Sequence, residues 1–181
     1  MKILITGFEP WDSHAVNPSG VVARALGGEE LPVDFADAGR ELRRLVRKQR
    51  PDGLLMLGLA PTRKMMALEA VALNIDHHET SGRNARRRKP ILKGSPLALE
   101  TRLPLDRIQR RLKSAGLTST VSHHAGTFLC NHVFYLGLTL MDGPCGFIHL
   151  PPFKELPKVR QIRAVRMIVH ALGGSSPAAT P

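Results

Sequence analysis

The sequence predicts an α/β fold, a largely parallel sheet with helices on both faces. Three observations carry this. Short apolar runs such as Ile3-Leu4-Ile5, Leu54-Leu55-Met56-Leu57 and Phe147-Ile148-His149-Leu150 read as strands buried on both faces. Amphipathic segments of helical period fall between such runs. Turn signals built on glycine and proline separate one segment from the next, so strand and helix alternate along the chain. A chain of 181 residues suffices for one domain, expected over 1–172, with a small-residue tail over 173–181 expected to be disordered. With 43% apolar but only 4% aromatic residues, the core must be mostly Leu, Val, Ile and Ala.

In order, Lys2 to Thr6 reads as a buried strand stopped by Gly7, with Phe8 to Asp12 as a loop. Asn17-Pro18-Ser19 starts a helix that runs to about Leu26, with Asn17 or Ser19 as its cap and Pro18 in its first turn. Leu31 to Phe35 is read as a strand. Asp37 to Gln49 places Ala38, Leu42, Leu45 and Val46 on one helix face, and Pro51-Asp52-Gly53 stops it. Leu54 to Leu57 is the next buried strand, and Gly58 opens a loop at its C-terminal end. Lys64 to Asp76 fits a strand buried on both sides or a helix, and Glu69 is its only internal charge. His77 to Ser95 has no period and reads as a long basic loop. Leu103 to Lys113 is an amphipathic helix, and Thr118 to Ser122 a β-branched strand. A helix beginning near Cys130 runs to about Met141, Gly146 to Leu150 is a strand, and Val159 to Leu172 is the last helix.

The formal charge is +11, concentrated between Arg40 and Arg50 and between Arg83 and Lys93. Neither run is interleaved with aromatics, and no nucleic-acid-reading signature accompanies them. They read as a solvated helix face and a basic loop, so nucleic acid is not the expected partner. No run approaches the roughly 18 apolar residues that span a bilayer. Met1 to Gly7 is too short for a secretory signal. Two cysteines do not make a disulfide framework. The expected setting is therefore the cytoplasm, which keeps a thiol available for chemistry.

In sheets of this type reactive groups gather beyond the carboxyl ends of the strands. Gly7 onward, Gly58 onward, the residues after Ser122, and His149 are all expected there. Cys130 follows a small-residue turn at a helix start, where unpaired backbone N–H groups and the helix dipole favour negative charge. His149 is the one polar side chain of its strand, and imidazole is the usual base for a cysteine nucleophile. Glu69, a carboxylate in an apolar segment, needs a partner and could orient that histidine. His132 lies about 200° round the helix from Cys130 and is excluded as its direct partner. Adjacent residues of a strand point to opposite faces, so neither His77-His78 nor His123-His124 chelates a metal. Cys145, after Gly143-Pro144, reads as a small apolar filler or a surface thiol.

Four separated motifs, in order, resemble the pyrrolidone carboxyl peptidases (pyroglutamyl peptidase I), cysteine exopeptidases that remove N-terminal pyroglutamate. They are Ile5-Thr6-Gly7-Phe8-Glu9-Pro10 with Asn17-Pro18-Ser19; Gly58-Leu59-Ala60-Pro61 with Arg63, Leu68-Glu69, Ala72 and Asn74; Ala125-Gly126 with Leu129-Cys130-Asn131 and Tyr135; and Gly146 to Pro151. The resemblance covers most of residues 1 to 153. It implies a three-layer α/β/α sandwich with a mixed, mostly parallel sheet. It also implies Cys130 as nucleophile, His149 as base and then acid, and Glu69 as the residue orienting the histidine. By position, Phe8, Trp11, Phe128 and Leu129 would line the lactam site, and Asn17 would hold the loop or the ring. Neither metal nor other cofactor is implied; a homo-oligomer, dimer or tetramer, is. The sequence departs from the family at Trp11-Asp12-Ser13, usually phenylalanine and glycines, at Thr62, usually a small residue, and at Ala70, usually arginine. The segment Gly27 to Glu30 is short enough that an outer strand is expected to be missing, and the basic stretch lacks the family's acidic turn. The alternative from another class is a catalytically silent relative whose basic loop binds nucleic acid or another polyanion.

Overall fold

Gly7 does not stop the first strand. In the computed structural model, which describes residues 1–11, 15–78 and 85–173, strand β1 (Ile3–Phe8) runs through it to Phe8. A Cβ on Gly7 would stand 2.2 Å from the carbonyl oxygen of Ser19, so the glycine lets helix α1 (Pro18–Ala25) lie directly on the strand. Asn17 caps α1, accepting from the Ser19 N–H. The next strand, β2 (Glu29–Leu31), ends earlier than expected. Pro32 follows it, and Asp34 then caps α2 (Phe35–Gln49) by accepting from the Ala36 and Asp37 N–H groups. An outer strand is thus present on this side, only three residues long.

β3 (Gly53–Leu59) is buried throughout and continues through Gly58. The ambiguous segment is strand, broken at Ala70 into β4 (Met66–Glu69) and β5 (Val71–Leu73). The stretch read as a long basic loop contains strands instead. β6 (Asp76–His78) pairs antiparallel with β7 (Arg86–Lys89), and β5 with β8 (Ala98–Glu100). β6 and β7 are short and made of polar residues, so their backbone pairing leaves no apolar alternation to read. The chain closes with α3 (Leu105–Ser114), β9 (Ser119–Ser122), α4 (Leu129–Leu140), β10 (Cys145–Leu150) and α5 (Lys158–Gly173). Gly173 belongs to this helix, and the rest of the expected tail, 174–181, lies outside the described residues.

Six strands form the central sheet in the order β2-β1-β3-β10-β4-β9. The first four are mutually parallel, β4 is antiparallel to β10, and β9 is parallel to β4. The sheet is therefore mixed and mostly parallel. Alternation along each strand sorts its side chains into two cores. Leu4, Phe8, Leu54, Met56 and Phe147 pack with Phe35 and Leu42 of α2 and Val133 and Phe134 of α4. Ile5, Leu55, Leu57, Leu68, Ile148 and Leu150 pack with Val22, Ile108, Leu112, Val165 and Ile168 of α1, α3 and α5. The result is an α/β/α sandwich. One positional expectation is modified: β9 runs against β1, β3 and β10, so Ser122 is level with Glu69 and, through it, with Phe147 in the middle of β10 rather than beyond a carboxyl end. The chain then returns through Gly126, at φ 86°, to start α4.

Candidate active site

The antiparallel pairing of β4 with β10 brings Glu69 to His149. Phe147 stands opposite Glu69 and His149 opposite Ala67, so Glu69 and His149 are diagonal neighbours on the sheet face covered by α4. Their side chains meet at 2.7 Å between His149 Nδ1 and Glu69 Oε1, with 7% and 0% of the two residues exposed. Arg63 Nη2 lies 3.7 Å from the same carboxylate oxygen and donates to Ser122 Oγ at 3.1 Å. Glu69 Oε2 is buried without a hydrogen-bond partner among the described residues.

On its other side His149 pairs with Gly58 of β3. A Cβ on Gly58 would stand 2.7 Å from Cys130 Sγ and 2.6 Å from the Phe147 ring. The missing side chain is what admits the thiol to this face of the sheet. Cys130 is the second residue of α4, half-buried, with Phe128 in extended conformation as the N-cap. Its sulfur is seated over Gly58, the residue paired with His149, and its charge and hydrogen-bonding capacity act on that imidazole. Since Nδ1 is engaged by Glu69, Nε2 is the ring nitrogen left for sulfur. Burial pulls the His149 imidazole toward its neutral form. The charge and hydrogen bond of Cys130, then the hydrogen bond and charge of Glu69, outweigh it and hold the group up at about 9. Cys145 has the opposite environment: it is 0% exposed, and burial pushes its thiol up to about 12.

The other expected residues have more structural surroundings. Asn17 donates Nδ2–H to the Glu9 carbonyl at 3.0 Å and accepts from the Ser19 N–H and Oγ–H, so it ties the loop after β1 to the start of α1. Phe8 is only 4% exposed, and its N–H donates to Ser19 Oγ. Trp11 is partly exposed, and residues 12–14 beside it lie outside the described residues. Leu129 is buried in the α2/α4 core. Phe128 stacks on His78 with ring centroids 3.9 Å apart and meets Phe35 edge-on at 5.3 Å. The His77 N–H donates to the Thr127 carbonyl, the Thr127 hydroxyl donates to the His77 carbonyl, and His124 Nδ1 accepts from the Gly126 N–H. Among the described residues no three His, Cys, Asp or Glu side chains cluster as metal ligands.

Sequence reasoning did not find three features. Gly58 was read as a loop opener, and the contact that requires glycine there is made by a helix far along the chain. Asn131 ties the start of α4 to β5, accepting from the Leu73 N–H and donating to the Leu73 and Ile75 carbonyls at 2.8, 2.8 and 3.0 Å. His132, correctly kept apart from Cys130, has its own carboxylate in Asp76. No spacing within the sequence signals these pairings.

A buried imidazole held by a carboxylate on one nitrogen and facing a helix-start thiol with the other belongs to the class of cysteine hydrolases, here on an α/β/α sandwich. The comparisons with known proteins narrow the class. The family model described as pyroglutamyl peptidase matches residues 1–164, and the chain belongs to that family. It is 41% identical to the pyrrolidone-carboxylate peptidase of Chromobacterium violaceum over 84% of this chain and 79% of the relative. With that of Bacillus subtilis it shares 33% identity over 94% and 88%. Among solved structures, a variant of the Pyrococcus furiosus pyrrolidone carboxyl peptidase superposes with a TM-score of 0.90 at 28% identity, covering 95% of this chain and 98% of that one. The Thermococcus litoralis enzyme gives 0.90 at 29%, covering 95% and 93%. The expected family and fold are those found, and a catalytically silent polyanion binder finds no support.

Proposed function

We propose that this protein is a cysteine exopeptidase that removes pyroglutamate from the N-terminus of peptides, with Cys130 as nucleophile, His149 as base and then acid, and Glu69 as the residue orienting the imidazole. The observation that carries the residue assignment is the 2.7 Å carboxylate–imidazole bond between Glu69 and His149, with Cys130 Sγ seated over Gly58, the residue paired with His149.

The Cys130 thiol gives its proton to His149 Nε2, and the resulting imidazolium is stabilised by Glu69. The sulfur attacks the pyroglutamyl carbonyl carbon, and the oxygen takes the negative charge. Backbone N–H groups at the start of α4 have no intrahelical acceptor and supply fixed donors for that charge. As the tetrahedral intermediate collapses, the C–N bond breaks and the imidazolium protonates the leaving amine. A water then attacks the thioester, giving its proton to His149; the oxyanion collapses, pyroglutamate leaves, and the thiol–imidazole pair is restored.

Pyroglutamate is small, uncharged and lacks an α-ammonium group, so its recognition needs an apolar slot with a few placed donors. Phe128, two residues before the nucleophile, is the proposed wall, with Phe8, Trp11 and Leu129 completing the apolar lining and Asn17 holding the loop that carries Trp11. The chemistry closes without a metal or other cofactor. A cytoplasmic setting fits two free cysteines, and no described helix is long and apolar enough to cross a membrane. The family resemblance is the support for a homo-oligomer.

The test is hydrolysis of a pyroglutamyl chromogenic amide. Wild type is expected to turn over and Cys130→Ala to lose about 10⁴-fold or more. A silent wild type, or an alanine variant with full activity, sinks the reading.

A further inference from the structure

Three consecutive side chains at the start of α4 are anchored to different parts of the molecule. Cys130 sits against Gly58 of β3, the residue paired with His149 of β10. Asn131, fully buried, clamps the backbone of β5 and the residue that precedes β6. His132, about 200° round the helix from Cys130, places Nδ1 at 3.0 and 2.9 Å from the two oxygens of Asp76 in β6. The His132 ring also stands edge-on to Phe35 of α2 at 5.3 Å. Its Nε2 faces Gly39, where a Cβ would stand 3.1 Å away. Asp76 is itself 5% exposed, and a buried carboxylate is costly without such a partner.

The rest of β6 grips the same turn. The His77 N–H donates to the Thr127 carbonyl at 2.8 Å, and Thr127 Oγ donates to the His77 carbonyl at 3.1 Å. The His78 ring covers the face of Phe128. β5 and β6 thus engage Thr127, Phe128, Asn131 and His132.

We propose that β6 is the strap that sets the rotation of α4 about its axis, and that Asp76, acting through His132, is the positioning residue for the Cys130 sulfur. The inference rests on Cys130 being the nucleophile. Asn131 holds the helix start from the β5 side, and His132 holds it from the side facing away from Cys130. Without the second hold, rotation of the first turn is opposed on that side only by the His77–Thr127 bonds and the His78–Phe128 stacking. A turn of about 10° at a side-chain radius of about 5 Å carries the sulfur about 1 Å, and a displacement of that size costs up to about 100-fold in rate. Neither Asp76 nor His132 needs to touch substrate for this effect.

The experiment compares wild type, Asp76→Ala, Asp76→Asn and His132→Phe by steady-state kinetics per folded molecule, by the rate at which iodoacetamide alkylates Cys130, and by an NMR titration of His149. Asp76→Ala and His132→Phe are expected to lose about 10- to 100-fold in kcat with KM little changed. They are also expected to alkylate more slowly and to titrate His149 lower than about 9, because the sulfur that holds it up has moved. Asp76→Asn still accepts from His132 and should retain most of the activity. His132→Phe keeps the ring packing on Phe35, so it carries the test should Asp76→Ala fail to fold. Unchanged kcat and alkylation in the folded variants, or a loss lying wholly in KM, overturns the inference. A Cys130→Ala enzyme that still turns over would instead overturn the assignment of the nucleophile, so the two failures are distinguishable.

Discussion

At Gly58 the absence of a side chain decides whether a thiol can stand beside an imidazole. The position is a strand residue opposite His149, on the face that α4 covers, and a methyl group there would overlap both Cys130 Sγ and the Phe147 ring. Gly58→Ala is therefore expected to push the sulfur away from His149 and lower kcat by about 100-fold. The overpacking should also cost about 1–3 kcal/mol of stability. Steady-state assays and urea unfolding check both numbers, and an alanine variant with wild-type kcat would remove the steric argument. The two cysteines show the same dependence on surroundings. Cys130 is half-buried beside an imidazole, whereas Cys145 is sealed in the core with its thiol pushed up to about 12. Residue type alone does not separate them.

At the scale of elements, the decisive fact is the reversal of β4. Had it run parallel to β10, Glu69 would have followed a different register. As it is, the antiparallel ladder sets Glu69 diagonal to His149 on the face under α4. The start of α1 works in a similar way on the side proposed to take substrate. Asn17 both caps the helix and holds the Glu9 carbonyl, so one side chain joins helix stability to the loop bearing Trp11. Asn17→Ala should cost about 1 kcal/mol from the lost cap and raise KM more than it lowers kcat, read from thermal unfolding together with steady-state kinetics. A variant that loses stability with KM unchanged would show that the loop needs no such tie.

The whole molecule registers the site through pH. His149 is held at about 9 in the fold, against an ordinary value of 6.5, so the folded state binds its proton more tightly than the unfolded chain does. The associated stability is complete below about 6.5 and is lost as pH rises through about 9. Cys130 supplies part of the upward pull, so the stability difference between wild type and Cys130→Ala should shrink across that window, in urea titrations at intervals from pH 6 to 10. Parallel curves for the two proteins would show that the sulfur does not hold the imidazole up. The 26 Lys and Arg residues are common to both proteins and cancel in the difference, which reports the coupled thiol–imidazole pair.

The sequence by itself determined a good deal here. Apolar runs of strand length and amphipathic segments of helical period depend only on local order, and they sufficed for the α/β class. Cys130, His149 and Glu69 each stood out against an apolar background, and four ordered motifs supplied the family. Tertiary structure decided the direction of β4 and β9, the continuation of β1 through Gly7 and of β3 through Gly58, and the hairpin within the basic stretch. It also decided the partnership of His132 with Asp76 and of Asn131 with β5. These share one physical reason. A strand's direction, a glycine's necessity and a buried polar group's partner are set by contacts between segments distant along the chain, and local periodicity carries no information about which distant segment arrives.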